Sequence, residues 1–425
     1  MTGILIFYPH NPVKPQHGSH LRALQQIQGL LDVSQVCLAS TEHTSDTLWP
    51  KDLEGVAAKL GVAEISVFER SEWALRNRIW LAITFVPHAL DAIFRRVGLH
   101  RLTTNVRANG RSWMMKRWFR DLAVKNGVEL IVVNYTYWSW IVEKIDRGIL
   151  RVLELHDLIS INAYLQKEVL KQLLISDRHM SLRKNAKQLG YVNDLDQLPN
   201  KVRGDLNIEL ANIDWFDRIW SIAERESKLI REIDTSIAVE TIIPTIRSNA
   251  YSYDRQKYSL LPTGPNVFNT YSLLRFIRTI HPQITFVENA KIYVTGNLLP
   301  NLKFDCPHSI EYLGMVDNYE KVLGSARFVI VPAAVGTGQQ MKIFEALAYG
   351  VPVVCFRASV PEFLDSDTNG VVCVDTDEEF AAAIGLMWSD DAFYEKVSNG
   401  ARRYSDLPAD NAYLISAQEI LGTHA

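Results

Sequence analysis

Short apolar runs rich in Val and Ile recur along the chain, separated by segments with helical spacing. Such unbroken runs are typical of strands buried on both faces of parallel sheets. Six fall in the first half, at residues 4–8, 36–39, 65–68, 130–134, 152–155 and 218–222, and six in the second, at 258–262, 290–295, 310–313, 328–332, 351–356 and 371–374. The alternation predicts an α/β protein with two doubly wound, Rossmann-like units in tandem.

The segment between Val239 and Tyr258 breaks this alternation, since ETIIPTIRSNAYSYDRQ holds a proline, polar residues and turn formers. We therefore predict an N-terminal domain over residues 1–244 and a C-terminal domain over 245–409, with the hinge near Thr245. Segments near 71–120 and 161–207 are expected to be insertions in the first domain, the second of them charged and helix-prone. Residues 410–425 are expected to form a terminal helix that returns to the N-terminal domain.

The composition is that of a folded globular protein, with 47% hydrophobic and 22% charged residues among 425. A formal charge of -3 gives no overall attraction to nucleic acid, so we expect no nucleic-acid partner. The first apolar run has no basic region before it and ends at Pro9, which predicts a first strand rather than a signal peptide. No window has the roughly 18 to 20 apolar residues that crossing a bilayer requires.

The four cysteines are scattered and form no CxxC pair, and three of them fall inside apolar runs. This pattern is typical of buried thiols in a reducing compartment, and it predicts a cytoplasmic protein. The residues are Cys37, Cys306, Cys355 and Cys373.

The segment from Arg76 to Arg120 carries ten basic residues against the single acid Asp91, interleaved with aromatic and methionine residues. Two interpretations are open. The segment is either a solvated helix face with ordinary core aromatics or an amphipathic surface that contacts anionic lipid at the inner face of the membrane.

The residues best suited to bind a ligand lie at 332–352, PAAVGTGQQMKIFEALAYGVP. This segment is predicted to form a glycine-bearing loop followed by a helix. Gly336 and Gly338 allow close approach of a ligand to the backbone, and the helix start offers unpaired amides to an anion. Lys342 and Glu345 are three residues apart and so project from one helical face. A cation and an acid in this arrangement suit a phosphate and the hydroxyls of a ribose.

These residues resemble the motif P-x-x-x-G-x-G-x-x-x-K-x-x-E-A-x-A-x-G-x-P-V of the retaining GT-B glycosyltransferases of family 4, the glycosyl transferases group 1. Further resemblances follow in the family's order along the chain. They are the opening loop with Gly18 and Arg22, the strand ending in His156-Asp157, the segment WFDRIWSIAERE at 215–226, and the turn Pro265-Asn266-Val267.

The resemblance implies a GT-B fold, in which two Rossmann-like domains face a cleft and the C-terminal one binds a nucleotide-sugar donor. It implies that Glu345 binds the ribose, that Lys342 and the loop amides neutralise the diphosphate, and that His156 and Asp157 line the reaction face as the catalytic pair. The donor-binding residues implied in this way are His17, Gly18, Arg22, Asn266, Gly336, Thr337, Gly338, Gln339, Lys342 and Glu345.

The chain departs from the family pattern at two places. Many relatives have a first glutamate eight positions before Glu345, where this chain has Thr337. Many also have an Arg and a Lys after the first C-terminal strand, and LLPTGPNVFN has neither. The acidic pairs Asp365/Asp367 and Asp375/Asp377 are expected to be solvated turns, and we expect neither a metal site nor a cofactor.

The resulting hypothesis is a cytoplasmic glycosyltransferase that transfers a sugar with retention to a glycan or lipid-linked glycan, in assembly of a surface polysaccharide or glycoconjugate. A catalytically silent GT-B protein that acts as a binding or scaffold partner is the alternative that the missing first glutamate leaves open. A sugar-nucleotide epimerase on the same fold is a third possibility. A nicotinamide oxidoreductase is disfavoured, because no GxGxxG follows any predicted strand.

Overall fold

A computed structural model describes residues 3–13, 18–41, 49–68, 100–176, 179–183, 189–243, 253–285, 288, 290–298, 306–336, 338–364, 367–406 and 411–422. For residues 100–112, and for 175, 176, 179, 362 and 367, it gives the backbone alone.

The first half is built on a seven-stranded sheet in which every described pairing is parallel. Its strands lie in the order β3-β2-β1-β4-β5-β8-β9. They are β1 (Gly3–Phe7), β2 (Gln35–Thr41), β3 (Glu64–Phe68), β4 (Val128–Asn134), β5 (Leu150–Glu154), β8 (Arg218–Ser221) and β9 (Val239–Thr241). The strand order reverses between β1 and β4, which opens a crevice at the carboxyl ends of those strands.

Helices connect these strands and cover both faces of the sheet. They are α1 (Gly18–Leu31), α2 (Leu53–Leu60), α3 (His100–Lys125), α4 (Ile159–Gln172), α5 (Asn200–Glu209) and α6 (Glu224–Ile233). Between α4 and α5 an antiparallel hairpin forms from β6 (Leu173–Ser176) and β7 (His179–Leu182). The segment 161–207, expected to be helix-prone, therefore combines helices with a hairpin that the sequence did not predict.

The second half repeats the plan with a six-stranded parallel sheet in the order β12-β11-β10-β13-β14-β15. Its strands are β10 (Tyr258–Pro262), β11 (Lys291–Thr295), β12 (Ile310–Gly314), β13 (Phe328–Val331), β14 (Val353–Phe356) and β15 (Val371–Val374). Its helices are α7 (Val267–Arg275), α8 (Tyr319–Ser325), α9 (Met341–Ala348), α10 (Asp377–Ser389) and α11 (Asp391–Asp406). Here the order reverses between β10 and β13, so this sheet also has a crevice at its carboxyl ends.

The last helix, α12 (Ala412–Gly422), packs against α1 of the first half. Tyr413 donates a hydrogen bond to Glu154 Oε1 over 3.1 Å, and Trp220 Nε1 donates to Ser416 Oγ over 2.8 Å. The end of the chain is thus tied to β5 and β8 by buried polar contacts.

All twelve strands predicted from the apolar runs are confirmed, and the structure adds β6, β7 and β9. The unpredicted strands are only three or four residues long, β7 and β9 are also less apolar, and β9 is only partly buried, so the apolar-run signal on which the prediction relied is weak in them. The hinge predicted near Thr245 lies outside the described residues, as does the part of the basic segment before His100.

The described end of the basic segment belongs to helix α3. Met114, Met115 and Phe119 are fully buried there and pack into the core beneath the first sheet. These side chains are therefore ordinary core residues and face no lipid. Within the part of the chain that the structure describes, no helix is long and apolar enough to cross a membrane.

The cysteines differ from the expectation of uniformly buried thiols. Cys37 and Cys355 are buried and Cys373 is half-buried, but Cys306 is exposed. Cys306 precedes Pro307 in a loop before β12, and it lies outside the apolar runs.

Candidate functional site

The loops at the carboxyl ends of the two sheets meet face to face. On the first half these are the loops that follow β1, β4 and β5, and on the second half it is the loop of residues 332–340, between β13 and α9. Two glycines lie at points where the two halves approach closely. A Cβ built on Gly338 would lie 2.8 Å from Asp157 Oδ1, and one on Gly18 would lie 3.0 Å from Met341 Cγ.

Helix α9 begins directly after this loop and presents the predicted cation and acid. The helix start has no side-chain cap, so its first amides remain available to a ligand. Lys342 Nζ donates a 2.7 Å hydrogen bond to Asn269 Oδ1 on α7. Asn266, one of the predicted donor-binding residues, caps α7 by accepting a 2.7 Å hydrogen bond from the Asn269 amide, and it thereby helps to position the partner of Lys342.

Burial perturbs both members of the Lys342–Glu345 pair, although each retains some surface. Burial lowers the pKa of Lys342 to about 8, and the neighbouring Glu345 offsets only part of that shift. Burial likewise raises the pKa of Glu345 to about 7, against the opposing effect of Lys342. Two charged groups held in an environment that disfavours charge are typical of a site that receives a polar ligand.

His156, directly after β5, is buried and has a defined tautomer. The Asn134 amide nitrogen donates to Phe7 O and to Gln26 Oε1, each over 3.0 Å. The Asn134 oxygen is therefore the acceptor that faces His156, and Nε2 of the imidazole donates to it over 2.8 Å. Nδ1 then carries the lone pair, and it has no hydrogen-bond partner among the described residues.

The electrostatic surroundings keep this imidazole neutral. Burial lowers the pKa of His156 well below its ordinary value, and electrostatic interaction with Arg22, His10 and His20 lowers it further. A neutral His156 with an unpaired Nδ1 is suited to accept a hydrogen bond from a hydroxyl group.

A segment of the first half that sequence reasoning did not select reaches the glycine loop. Tyr191 is buried, its hydroxyl accepts a 3.1 Å hydrogen bond from Gln340 Nε2, and its ring edge lies 3.2 Å from the Cβ position of Gly336. Arg225 stacks on the same ring, with its Cζ 4.1 Å from the ring centre. In the loop itself, the buried Oε1 of Gln339 has no hydrogen-bond partner among the described residues.

Arg22 is placed differently from its expected phosphate contact. Its guanidinium is 1% exposed and forms an ion pair with the fully buried Glu154. It also donates to the carbonyl of Ile242 over 2.8 Å and lies over the Tyr413 ring. Because its side chain is enclosed within the first half, we leave Arg22 out of the proposed donor site.

The remaining candidates are two predicted donor-binding residues and the acids of the D-x-D pairs. His17 and Thr337 lie outside the described residues. Of the D-x-D acids, Asp375 is 62% exposed in the turn after β15 and pairs with Arg357 at 3.1 Å, whereas Asp377 is 19% exposed and pairs with Arg275 at 2.6 Å. Asp365 lies outside the described residues, and only the backbone of Asp367 is described. In the described ranges no three His, Cys, Asp or Glu residues are grouped so that they would hold a metal ion.

The residues that sequence reasoning missed are Asn134, Tyr191 and Asn269, together with Tyr135, whose ring stacks on His156 with centroids 4.3 Å apart. Asn134 ends a predicted strand, and polar residues at the carboxyl ends of parallel strands are a signal for a site. Tyr191 lies in a segment with no recognisable motif, and only the packing of the chain brings it to the glycine loop. Asn269 closely follows the Pro265-Asn266-Val267 turn, but only the packing of α7 beside α9 shows that it contacts Lys342.

Residues 261–390 match a family model described as Glycosyl transferases group 1. This match begins at the end of β10 and covers the other five strands of the second sheet together with the glycine loop and α9. No curated protein matches the sequence.

Solved structures resemble the whole chain. Sucrose-phosphate synthase from Thermosynechococcus elongatus aligns over 100% of this chain and 99% of its own, with 14% identity and a TM-score of 0.59. HepE of Anabaena, solved in complex with UDP, aligns over 100% of both chains with 11% identity and a TM-score of 0.60. A mutant of TarM from S. aureus, solved with Fondaparinux, alpha-GlcNAc-glycerol and UDP, aligns over 100% and 99% with 9% identity and a TM-score of 0.61.

At these identities the structural likeness establishes the fold. The chain therefore has the two-domain α/β architecture of the GT-B glycosyltransferases, and its second half resembles the glycosyl transferases group 1.

Proposed function

We propose that the protein is a retaining glycosyltransferase that moves a sugar from a nucleotide-sugar donor to a glycan or lipid-linked glycan. The observation that carries this proposal is the position of the glycine loop. Gly338, in the loop that leads into α9 with its Lys342 and Glu345, packs against Asp157, the residue that follows His156 in the other half. A donor in this cleft would have its nucleotide on the second half and its sugar between the two halves.

Each site residue has a role that follows from its chemistry. The Glu345 carboxylate accepts hydrogen bonds from the two ribose hydroxyls. Protonated Lys342 and the free amides at the start of α9 neutralise the diphosphate, whose negative charge grows as the sugar leaves. Nδ1 of His156 accepts a hydrogen bond from a hydroxyl of the transferred sugar.

In the proposed reaction the bond between the anomeric carbon and the diphosphate oxygen breaks, and the acceptor oxygen bonds to the same face of that carbon. The acceptor hydroxyl gives its proton to the departing diphosphate oxygen. No oxidant, reductant or metal enters this balance. The protein contributes chiefly the placement of the two substrates and stabilisation of the leaving charge.

The ten basic residues of the segment 76–120, rather than its buried apolar side chains, suit attraction to anionic lipid and so a lipid-linked acceptor at the inner face of a membrane, as in assembly of a surface polysaccharide. Flotation of the full chain with anionic vesicles at low and high salt tests this part of the proposal. We expect binding at low salt that is lost at high salt. No binding at low salt would contradict the membrane contact and leave the donor assignment unaffected.

Donor binding is tested by calorimetry with UDP and by assaying hydrolysis and transfer from a panel of nucleotide sugars. We expect Glu345→Gln and Lys342→Met to lower turnover by about 100-fold or more while the proteins remain folded. Glu395→Gln, on the outer surface of α11, is the matched control and should retain full activity. Full activity in Glu345→Gln or Lys342→Met would refute the assignment.

The same assay separates the alternatives. The absence of a glutamate at Thr337 favours a silent binding protein as the second candidate, and that protein would bind a nucleotide with no turnover on any acceptor. An epimerase would release a second nucleotide sugar without needing an acceptor.

A further inference from the structure

Tyr135 follows β4 in a strained conformation. Its φ is +72°, and it is the one non-glycine residue with a positive φ in the described part of the chain. An aromatic residue adopts this conformation only where its surroundings enforce it, and such strain is concentrated at binding and catalytic sites. The ring stacks on His156, with centroids 4.3 Å apart and planes inclined by 20°.

The neighbouring contacts show what holds Tyr135 in place. Its amide donates a 2.9 Å hydrogen bond to the Glu154 carbonyl. The next residue, Thr136, donates from its hydroxyl to Glu209 over 2.8 Å. Glu209 in turn accepts from the first amides of α4, at Ile159 and Ser160, over 2.8 and 2.7 Å. The strained backbone is therefore fixed by both β5 and the α4–α5 unit.

Tyr135 and the residues that follow it form a row of aromatic rings that leads away from His156. The row consists of Tyr135, Tyr137, Trp138 and Trp140. Successive ring centroids along it lie 5.7, 5.4 and 5.5 Å apart. Trp138 is 8% exposed and supports the row from inside, whereas Tyr137 is 48% exposed. Tyr137 is the member whose ring meets solvent most openly.

We propose that Tyr137, backed by Tyr135, is a stacking platform for a pyranose ring of the acceptor, so that the acceptor is a glycan chain of at least two sugars. This inference rests on the proposed function and specifies its acceptor. The axial C–H groups of a pyranose carry partial positive charge and pack against the negative face of an aromatic ring. A chain with its terminal sugar beside His156 would place the following sugar over Tyr137, one ring spacing beyond Tyr135.

Other occupants fit the row less well. Membrane insertion favours several exposed apolar side chains in one patch, whereas Trp138 is covered by the protein and Trp140 is half-buried. At the far end the cations of Lys116 and Lys144 already lie over the Trp140 and Trp113 rings, at 5.7 and 5.1 Å. The largely exposed part of the row is thus the single ring of Tyr137 near the reaction face, and its area suits stacking of one sugar ring.

Saturation-transfer-difference NMR on the full chain saturated with UDP tests the platform. The probes are cellobiose, maltotriose, chitotriose and xylotriose, with methyl glucoside as the single-ring comparison. We expect transfer to the axial ring protons of at least one oligosaccharide and weaker transfer to methyl glucoside. Tyr137→Ala should weaken that binding about five- to tenfold, whereas Tyr137→Phe, which keeps the ring, should stay within about twofold.

Leu386→Ala, which removes a comparably exposed apolar side chain from α10, is the matched control and should leave oligosaccharide binding unchanged. The platform is overturned if no oligosaccharide binds, if Tyr137→Ala binds as the wild type does, or if Tyr137 is required only for binding to anionic vesicles. Calorimetry with UDP in the same samples keeps this test apart from the donor assignment. If the protein binds no UDP, the proposed function is contradicted. If it binds UDP but no oligosaccharide, only the stacking platform is contradicted.

Discussion

At the scale of single residues, the lowered pKa of Lys342 near 8 makes its positive charge depend on pH within the working range. The charged form binds the donor phosphate, so proton loss removes the attraction. Glu345, with a pKa raised to about 7, gains its carboxylate charge as pH rises through the same region. The free site therefore holds both charges best between about 7 and 8.

We predict that affinity for UDP falls as pH rises above about 8, because free Lys342 then loses its proton. Lys342→Arg should bind UDP more weakly at pH 7 but show no decline up to pH 9.5, since a guanidinium stays protonated there, with a pKa above about 12. Calorimetric titration across this pH range measures the effect. An equal decline in Lys342→Arg and the wild type would show that another group controls it.

Arg22 shows how a residue in a recognised motif can have a structural role. Burial raises the pKa of its partner Glu154, and this effect exceeds the opposing influence of Arg22 and Tyr413. A carboxylate in that environment is stabilised by its paired cation, so removing one member of the pair lowers the stability of the folded protein.

We predict that Arg22→Met lowers the free energy of unfolding by about 3 to 5 kcal/mol, because it leaves Glu154 buried and unpaired. Urea titration measures this loss, and UDP affinity of the folded fraction should stay within about twofold of the wild type. Arg231→Met, which removes an exposed partner of Glu224, should cost less than about 1 kcal/mol. A stable Arg22→Met protein that no longer binds UDP would restore Arg22 to the donor site.

At the scale of elements, the loop between β13 and α9 packs against residues that follow β5 and β8 of the first half. A Cβ built on Gly338 would lie 2.8 Å from Asp157 Oδ1 and 3.4 Å from Ile222 Cγ2, so a side chain at this position requires Asp157 or the loop to shift. The glycine is needed here for close approach of two domains.

We predict that Gly338→Ala lowers kcat at least tenfold, because the added methyl displaces either Asp157 or the glycine loop. Gly204→Ala is the matched control, since its Cβ position in α5 has nothing within 4 Å, and it should retain activity. Circular dichroism and steady-state kinetics measure fold and turnover. Unchanged kcat in Gly338→Ala would mean that Asp157 and the loop do not meet during the reaction.

At the scale of the whole molecule, the two halves are joined by more than the chain between them. The core beneath the first sheet includes Tyr271, Leu274 and Val335 of the second half. Arg278 on the second half donates to the carbonyls of Leu182 and Arg183, over 3.0 and 2.6 Å. The α4–α5 unit, with its hairpin and Tyr191, therefore reaches from the first half onto the donor loop.

We predict that Tyr191→Ala raises the donor KM about tenfold, because the loop at Gly336 and Gln340 loses its support from the first half. Tyr191→Phe keeps the ring and loses one hydrogen bond, so its donor KM should rise by no more than about threefold. Initial rates at varied donor concentration measure both. Equal KM values in Tyr191→Ala and the wild type would indicate that the segment has no part in donor binding.

The sequence by itself determined the twelve main strands and the location of the glycine loop. Buried parallel strands require unbroken apolar runs, and a loop that receives an anion requires small residues before a helix start. Lys342 and Glu345 were recognisable because their spacing puts them on one helical face. These features are local, so neighbouring residues are enough to reveal them.

Tertiary structure alone decided which polar residues face the cleft. Arg22 turned inward because Glu154, distant in sequence, lies beside it, and Asn266 became a helix cap that positions Asn269. The strain at Tyr135 and the support from Tyr191 depend on contacts between segments that are remote along the chain. Such contacts leave no periodicity in the sequence, because they form only when the folded chain places distant strands, helices and loops side by side.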